Sequence, residues 1–407
     1  MVLSRILSLG VVLILLGHVP VWAQDGRSEP AESAGQLDVG DLWGRLRHKE
    51  SLAEDARKKF LVFAPSIGSK PSTGLNGGFS SNVAFFLGDP ATTHISSLTG
   101  GLKVSEKKQT LGGVRFSAFS KNDRWFFQGD NRLSWTSQNT YGLGGDTLGV
   151  SAENVKYDLF RFYETVYRSV KRGLFVGFGL DVSDHTNVRP GTGALSTWDE
   201  SAYVTYNEKH GFAVDRQTSS GTSAGLIFDT RDNAINPERG ALASASYRTY
   251  FDGFLGGDST WQELYLDART YRKLTKDGRH KLAFWFLGDL VTGGIAPYLD
   301  LPATASQERS ARGYGEGRYR GEHLLYGEME YRGALTTNGL IGMVAFLNST
   351  TVDNREAGQK LFESFAPGAG FGFRFLLNKR SRTNLCTDYG WGKDGSRGFY
   401  LAIQEAF

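Results

Sequence analysis

The stretch Glu308–Gly333 reads ERSARGYGEGRYRGEHLLYGEMEYRG, and its second half decides the fold. It opens as a loop crowded with glycine and arginine, and from about His323 polar and apolar residues alternate. Glu328, Glu330 and Arg332 share one face of an extended strand, while Leu325, Met329 and Tyr331 share the other. A strand with ions on one side and apolar groups on the other fits the wall between a polar interior and an apolar medium. That is the situation of a transmembrane barrel.

Composition agrees. The 407 residues include 52 Gly and only 10 Pro, with 13% aromatics. The mean hydropathy of −0.32 is too polar for a bundle of membrane helices. In a barrel only alternate residues touch lipid, so half of each strand stays polar. The formal net charge is +3 and the basic residues are spread along the chain, which gives no nucleic-acid signature. The single Cys386 excludes an intramolecular disulfide and a cysteine-based metal site. No Walker loop, zinc-spaced cluster or dinucleotide fingerprint appears, so no cofactor and no metal is expected.

The N-terminus reads as an export signal over residues 1–23. Arg5 precedes an apolar run from Ile6 to Leu16, and Val21-Trp22-Ala23 is a small-residue pattern that places cleavage near Ala23. The run is too short to span a bilayer; a buried helix is the alternative. No later segment offers about 18 uninterrupted apolar residues. Residues 24–59 form a short periplasmic leader and helix. Positions 24–36 are small and polar, and Asp38–Phe60 has helical spacing, with Asp38 or Asp41 as cap and Leu42, Leu46, Leu52, Ala56 and Phe60 at apolar positions. This helix lies in the periplasm, plugs the lumen, or serves as a tether.

Residues 60–407 yield sixteen strand candidates by alternation and turn signals. They fall near 60–69, 75–87, 94–105, 109–120, 124–137, 154–168, 173–184, 221–229, 239–252, 260–274, 279–291, 323–335, 340–351, 366–377, 383–392 and 398–407. Connections after even-numbered strands are short, as at 121–123, 171–172 and 276–278. Several after odd-numbered strands are long: 138–153, 185–220, 292–322 and 352–365. Short periplasmic turns and longer outer loops are the pattern of an outer-membrane barrel. The fold class is therefore all-β, a sixteen-stranded antiparallel transmembrane β-barrel with a short N-terminal helix.

Individual strands carry the same message. Ile341, Met343, Ala345 and Leu347 share a face; Leu264, Leu266 and Ala268 share another, opposite Glu263, Asp267, Arg269 and Lys273. Several ions on one side of a strand demand a wet or ion-paired lumen. Trp125, Trp135, Tyr247 and Tyr271 lie near strand ends, where an aromatic girdle belongs. Phe399, Leu401, Ile403 and Phe407 are in phase at the end of the last strand and read as a C-terminal assembly signal, with Glu405 breaking the pattern.

Three fragments resemble motifs of the BamA/TamA surface-antigen superfamily of outer-membrane barrels. Arg312-Gly313-Tyr314 resembles its lid-loop motif. Within Gly225–Gly240 (GLIFDTRDNAINPERG), Asp229, Arg231, Asp232, Pro237 and Gly240 resemble the element that begins its second barrel half, a periplasmic turn. Tyr141–Thr147 (YGLGGDT) is similar to an element of its first half. The resemblance covers roughly residues 110–407. It implies that the lid loop 292–322 folds into the lumen and that Arg312 pairs with wall acids, here Glu330 with Glu328. Asn348 stands where members commonly have Asp and cannot form the ion pair. The alternative leaves Arg312 in a polar outer loop. The leader is too brief to hold a POTRA module.

The resemblance further implies insertion or translocation of protein, or movement of lipid, at the bacterial outer membrane. The implied partners are outer-membrane lipid and a periplasmic partner or client outer-membrane or secreted protein. A porin-like diffusion channel is the main alternative, with Asp267, Arg269 and Lys273 setting selectivity and 185–220 constricting the pore; a structural surface protein is a third. An enzyme is not expected, because His94, His185, His210, His280 and His323 are scattered with no serine partner at a defensible offset.

Overall fold

Alternation along the chain closes it into a ring. The computed structural model describes residues 36–39, 41, 60–70, 74–149, 152–191, 198–307 and 309–407. Among these, sixteen strands run β1 (Phe60–Lys70), β2 (Gly74–Phe85), β3 (Ser96–Ser105), β4 (Thr110–Phe119), β5 (Trp125–Thr140), β6 (Glu153–Lys171), β7 (Leu174–Pro190) and β8 (Gln217–Asp229). The second half runs β9 (Gly240–Tyr250), β10 (Trp261–Lys273), β11 (His280–Gly294), β12 (His323–Ala334), β13 (Ile341–Val352), β14 (Ala366–Asn378), β15 (Thr383–Gly392) and β16 (Arg397–Ile403). Each strand pairs with its sequence neighbours, and β16 meets β1 to close the barrel. The export signal and most of the leader helix lie outside the described residues.

The two faces sort as the alternation requires. On β12, Glu328, Glu330 and Arg332 are buried toward the lumen, while Met329 is 40% exposed on the outer surface. On β10, Asp267 takes Arg269 at 2.6 Å, and Glu263 takes Arg248 of β9 at 3.0 Å. A lumen of this width needs filling, and the ions are paired inside it. Trp125, Trp135 and Tyr247 face outward. Tyr271 does not: it shares the phase of Asp267 and Arg269, is 2% exposed, and lies in the lumen against Phe407.

Two loops and the last strand differ from their expected form. The segment expected as a bare loop over 185–220 shortens to 191–216, because β7 and β8 run further, and it contains a helix, α1 (Ala202–His210). The Ser201 side chain accepts from the Val204 N–H at 3.1 Å, and Gly211 closes the helix at φ 76°. The lid begins at Ile295 rather than 292, because β11 continues to Gly294. The last strand ends at Ile403, four residues early. Gln404 takes φ 75°, and residues 405–407 fold into the lumen. Continuing the strand would have put Glu405 on the face of Phe399 and Leu401. Turned inward, it pairs with Arg374 at 2.7 Å and accepts from Asn384 at 2.7 Å.

At the short-turn rim, residues 36–39 and 41 dock on the barrel. The Leu37 N–H donates to the Asn338 carbonyl at 3.1 Å, and Asp38 and Asp41 accept each other's N–H groups at 2.8 and 3.0 Å. Lys379 joins both carboxylates, through its N–H at 3.0 Å and its ammonium at 2.8 Å. Opposite, at the long-loop rim, α1 and the start of the lid cover the lumen: Tyr203, Tyr206, Tyr298, Leu299 and Trp261 pack in one apolar cluster.

Candidate functional site: the lid and the seam

The lid (Ile295–Glu322) is shaped by its own arginines before it reaches the wall. The Arg320 guanidinium donates to three lid carbonyls, those of Tyr298 at 2.8 Å, Leu299 at 3.2 Å and Leu301 at 2.9 Å. Its main-chain oxygen accepts from Gly144 at 2.7 Å. Arg318 lies over the Tyr141 ring at 4.5 Å and donates to the Thr147 hydroxyl and carbonyl, each at 2.9 Å. The YGLGGDT fragment is thus the seat on which the lid's returning arm rests.

Arg312 sits at the lid's deepest turn with no exposed surface. It donates to Glu328 and Glu330 of β12, and at 2.8 Å to Asp388 of β15. Its guanidinium lies 3.7 Å from the centre of the Phe346 ring. Asn348 adds no charge. Its amide donates to the Arg312 main-chain oxygen at 3.3 Å and to Glu328 at 3.4 Å. Gly313 follows at φ 110°, where a Cβ would lie 2.7 Å from the Trp391 carbonyl carbon. Only glycine fits that approach. Its N–H donates to the Tyr400 hydroxyl at 3.1 Å, and its carbonyl accepts from Ser396 at 2.6 Å. The Tyr314 hydroxyl accepts from the Lys393 N–H at 2.7 Å.

Three carboxylates around one guanidinium need further cations. Arg332 takes Glu330 at 2.6 Å and donates to the Phe407 main-chain oxygen at 2.9 Å; Arg374 bridges Asp388 at 2.5 Å and Glu405 at 2.7 Å. The lid is therefore pinned to β12, β15 and the residues after β16 by one buried network. Asp388 and Arg374 went unread in the sequence, and Glu405 was read only as a break in the pattern of the last strand. The available signal was phase: Asn384, Cys386 and Asp388 share one face of β15, and Arg374 stands between Phe373 and Phe375.

The turn element over 229–240 is elsewhere, on the short-turn rim. Arg231 forks onto Asp229 at 3.0 and 2.7 Å, and Asp232 accepts the N–H groups of Glu238 and Arg239 while pairing with Arg382 of the β14–β15 turn at 2.7 Å. Pro237 is buried there, and Gly240 at φ 96° carries the chain into β9. Each histidine named above lies near a carboxylate or a tyrosine rather than a serine: His94 meets Asp123, His185 lies 3.9 Å from Asp300, His210 meets Glu356, His323 meets Asp353 and His280 meets Tyr331.

The seam is the second feature. β1 pairs with β2 along its whole length, from Phe60 opposite Ala84 to Lys70 opposite Gly74. Against β16 it registers only Gly68 opposite Tyr400 and Ser69 opposite Phe399. The remaining β1 edge, Phe60–Ile67, has no registered partner in β16, and Leu61 and Phe63 are 69% and 65% exposed. An unpaired strand edge is a template for another strand.

No protein-family profile matches the sequence, and no curated protein matches it. Solved structures do match in fold. BamA from Haemophilus ducreyi lacking POTRA domains 1-3 superposes with a TM-score of 0.54 at 12% identity, over 85% of this chain and 70% of that one. CdiB from Acinetobacter baumannii gives 0.54 at 11% identity, over 85% and 59%, and CdiB from Escherichia coli gives 0.54 at 12%, over 87% and 64%. The chain thus spans less than two thirds of either CdiB chain, and identities this low carry the fold alone. In fold, the chain is a closed sixteen-strand antiparallel β-barrel similar to those of BamA and CdiB.

Proposed function

We propose that the protein inserts or translocates polypeptide at the bacterial outer membrane, using the β1–β16 seam as the opening and the lid as the closure of the lumen. One observation carries the reading: β1 and β16 register over two residue pairs while every other strand pair is longer. A client strand adding to the β1 edge at Phe60–Ile67 gains main-chain hydrogen bonds that β16 does not supply there. Residues 1–23 act as the export signal, cleaved near Ala23, and client delivery falls to a separate periplasmic partner. The role is not enzymatic.

The diffusion-channel alternative draws no support from the lumen, which holds the lid, α1 and the Arg312 network. The reading is tested by refolding a urea-denatured outer-membrane barrel into vesicles that contain the purified protein. Faster folding than in empty vesicles is expected; equal rates in both contradict the role.

A further inference from the structure

The outer surface of β5–β7 ends, at the short-turn rim, in a set of cations that the lid and the seam do not use. Lys121 and Arg124 lie on the β4–β5 turn and Lys171 at the β6–β7 turn, all exposed. The two turns are joined by the Ser169 N–H, which donates to the Arg124 carbonyl at 3.1 Å. Arg168 faces outward on β6, opposite Trp125 of β5 and Val176 of β7, with its guanidinium 4.7 Å from the Trp125 ring centre.

Two residues further from the rim, on the same face, lie Phe127, Val166 and Phe178, which are in register with one another and exposed on the barrel's outer surface. The cations therefore begin where this apolar band ends. Trp125 marks the boundary, as tryptophan does at a membrane interface. In an outer-membrane barrel the short-turn end faces the periplasm, so this level meets the headgroups of the periplasmic leaflet.

Elsewhere on this rim, four cations meet acids. Arg382 has Asp232 at 2.7 Å, Lys273 has Glu238 at 2.7 Å, Lys379 has Asp41 at 2.8 Å and Arg279 has Asp277 at 3.5 Å. On the β4–β5 and β6–β7 turns the only acid is Asp123, and it is bound to the His94 ring at 2.6 Å and accepts the His94 N–H at 2.8 Å. Asp89, on the adjacent β2–β3 connection, accepts from its own turn at Ala91. Positive charge at headgroup level, with no acid of its own turns left to face it, is complementary to an anionic phosphodiester.

We propose that Lys121, Arg124, Arg168 and Lys171 form a headgroup site for an anionic glycerophospholipid of the periplasmic leaflet, with Trp125 packed at the glycerol level. The site lies several strands from the β1–β16 seam, so it anchors the closed side of the wall and leaves the seam unclamped.

The test uses the full chain reconstituted in phosphatidylcholine vesicles containing a trace of brominated phosphatidylglycerol or brominated phosphatidylcholine. The Trp125 signal is the fluorescence difference between the chain and Trp125→Phe. Brominated phosphatidylglycerol is expected to quench it several-fold more efficiently than the choline lipid. The ratio should fall toward one in Lys121→Gln/Arg124→Gln/Lys171→Gln. Equal quenching by the two lipids in the unaltered protein overturns the proposal, and that comparison stands even if the triple variant does not fold. Loss of the preference on adding free glycerol phosphate overturns it as well, because the site would then select a soluble anion rather than a lipid.

Discussion

Arg312 carries the closure. Its guanidinium meets acids from two strands that lie far apart in sequence, Glu328 and Glu330 on β12 and Asp388 on β15, with the Phe346 ring against it. Removing it leaves three buried carboxylates to share Arg332 and Arg374, and breaking a buried pair from one side costs roughly 3–5 kcal/mol. Arg312→Ala is therefore expected to release the lid while the strand ladder stays intact. Single-channel recording should show small, flickering currents in the unaltered protein and larger ones in the variant. Equal conductance and equal heat resistance would contradict the pinning. Arg312, Glu328 and Glu330 were legible because a short motif and a period-two pattern lie side by side in the sequence. Asp388 was not, since the register of a strand more than fifty residues away brings it in, and no local pattern encodes that.

At the scale of elements, the loops over the long-loop rim hold one another by charge. Lys209 and His210 at the end of α1 both meet Glu356 of the β13–β14 loop, at 2.8 and 2.7 Å. Burial alone would raise the Glu356 carboxyl, but the hydrogen bonds from Lys209 and His210 outweigh it and hold it below its ordinary value. A lowered carboxylate stabilises the folded loops above the unfolded value, about pH 4.3, and that contribution is lost as the pH falls through the folded value. Glu356→Gln should thus speed amide exchange across Ala202–His210 by roughly twofold at neutral pH, the size of an exposed ion pair. The difference from the unaltered protein, compared at each pH, should shrink as the pH falls below the unfolded value and close below the folded one. A difference that persists in acid would mean that packing, not charge, holds the loop.

Strands were the legible elements and caps the illegible ones. The sixteen strands lie near their expected places because each has a lipid face and a lumen face, and that asymmetry is written residue by residue. α1 escaped because it is short and capped, with little apolar spacing of its own; Ser201 and Gly211 were its only local signals. The inward turn after Ile403 depends on Arg374 and Asn384 of strands β14 and β15 donating to Glu405, which no reading of the last strand alone supplies. Tyr271 was misplaced for a related reason: nearness to a strand end says nothing of phase, and its phase is that of Asp267 and Arg269.

The molecule as a whole is a ladder with one short rung set. Fifteen of its strand junctions follow from the order of the chain, and the sixteenth joins its two ends. That last junction is held at Gly68–Tyr400 and Ser69–Phe399, toward the long-loop end, with the β1 edge below it unmatched. The lid, pinned through Arg312 to β12 and β15 and through Gly313 to Tyr400 of β16, braces one flank of that junction from inside. Barrel and lid were legible from alternation and motif; the shortness of the seam was not, because it depends on where β16 stops.

The most direct measurement locks that junction. In Ser69→Cys/Phe399→Cys, a disulfide joins two directly opposed residues of β1 and β16 without touching the lid's contacts. Client-folding rates are then compared in vesicles with the lock oxidised and reduced. The account predicts that the oxidised protein loses the acceleration and that reduction restores it. Undiminished acceleration with the seam covalently closed would contradict the claim that clients enter between β1 and β16.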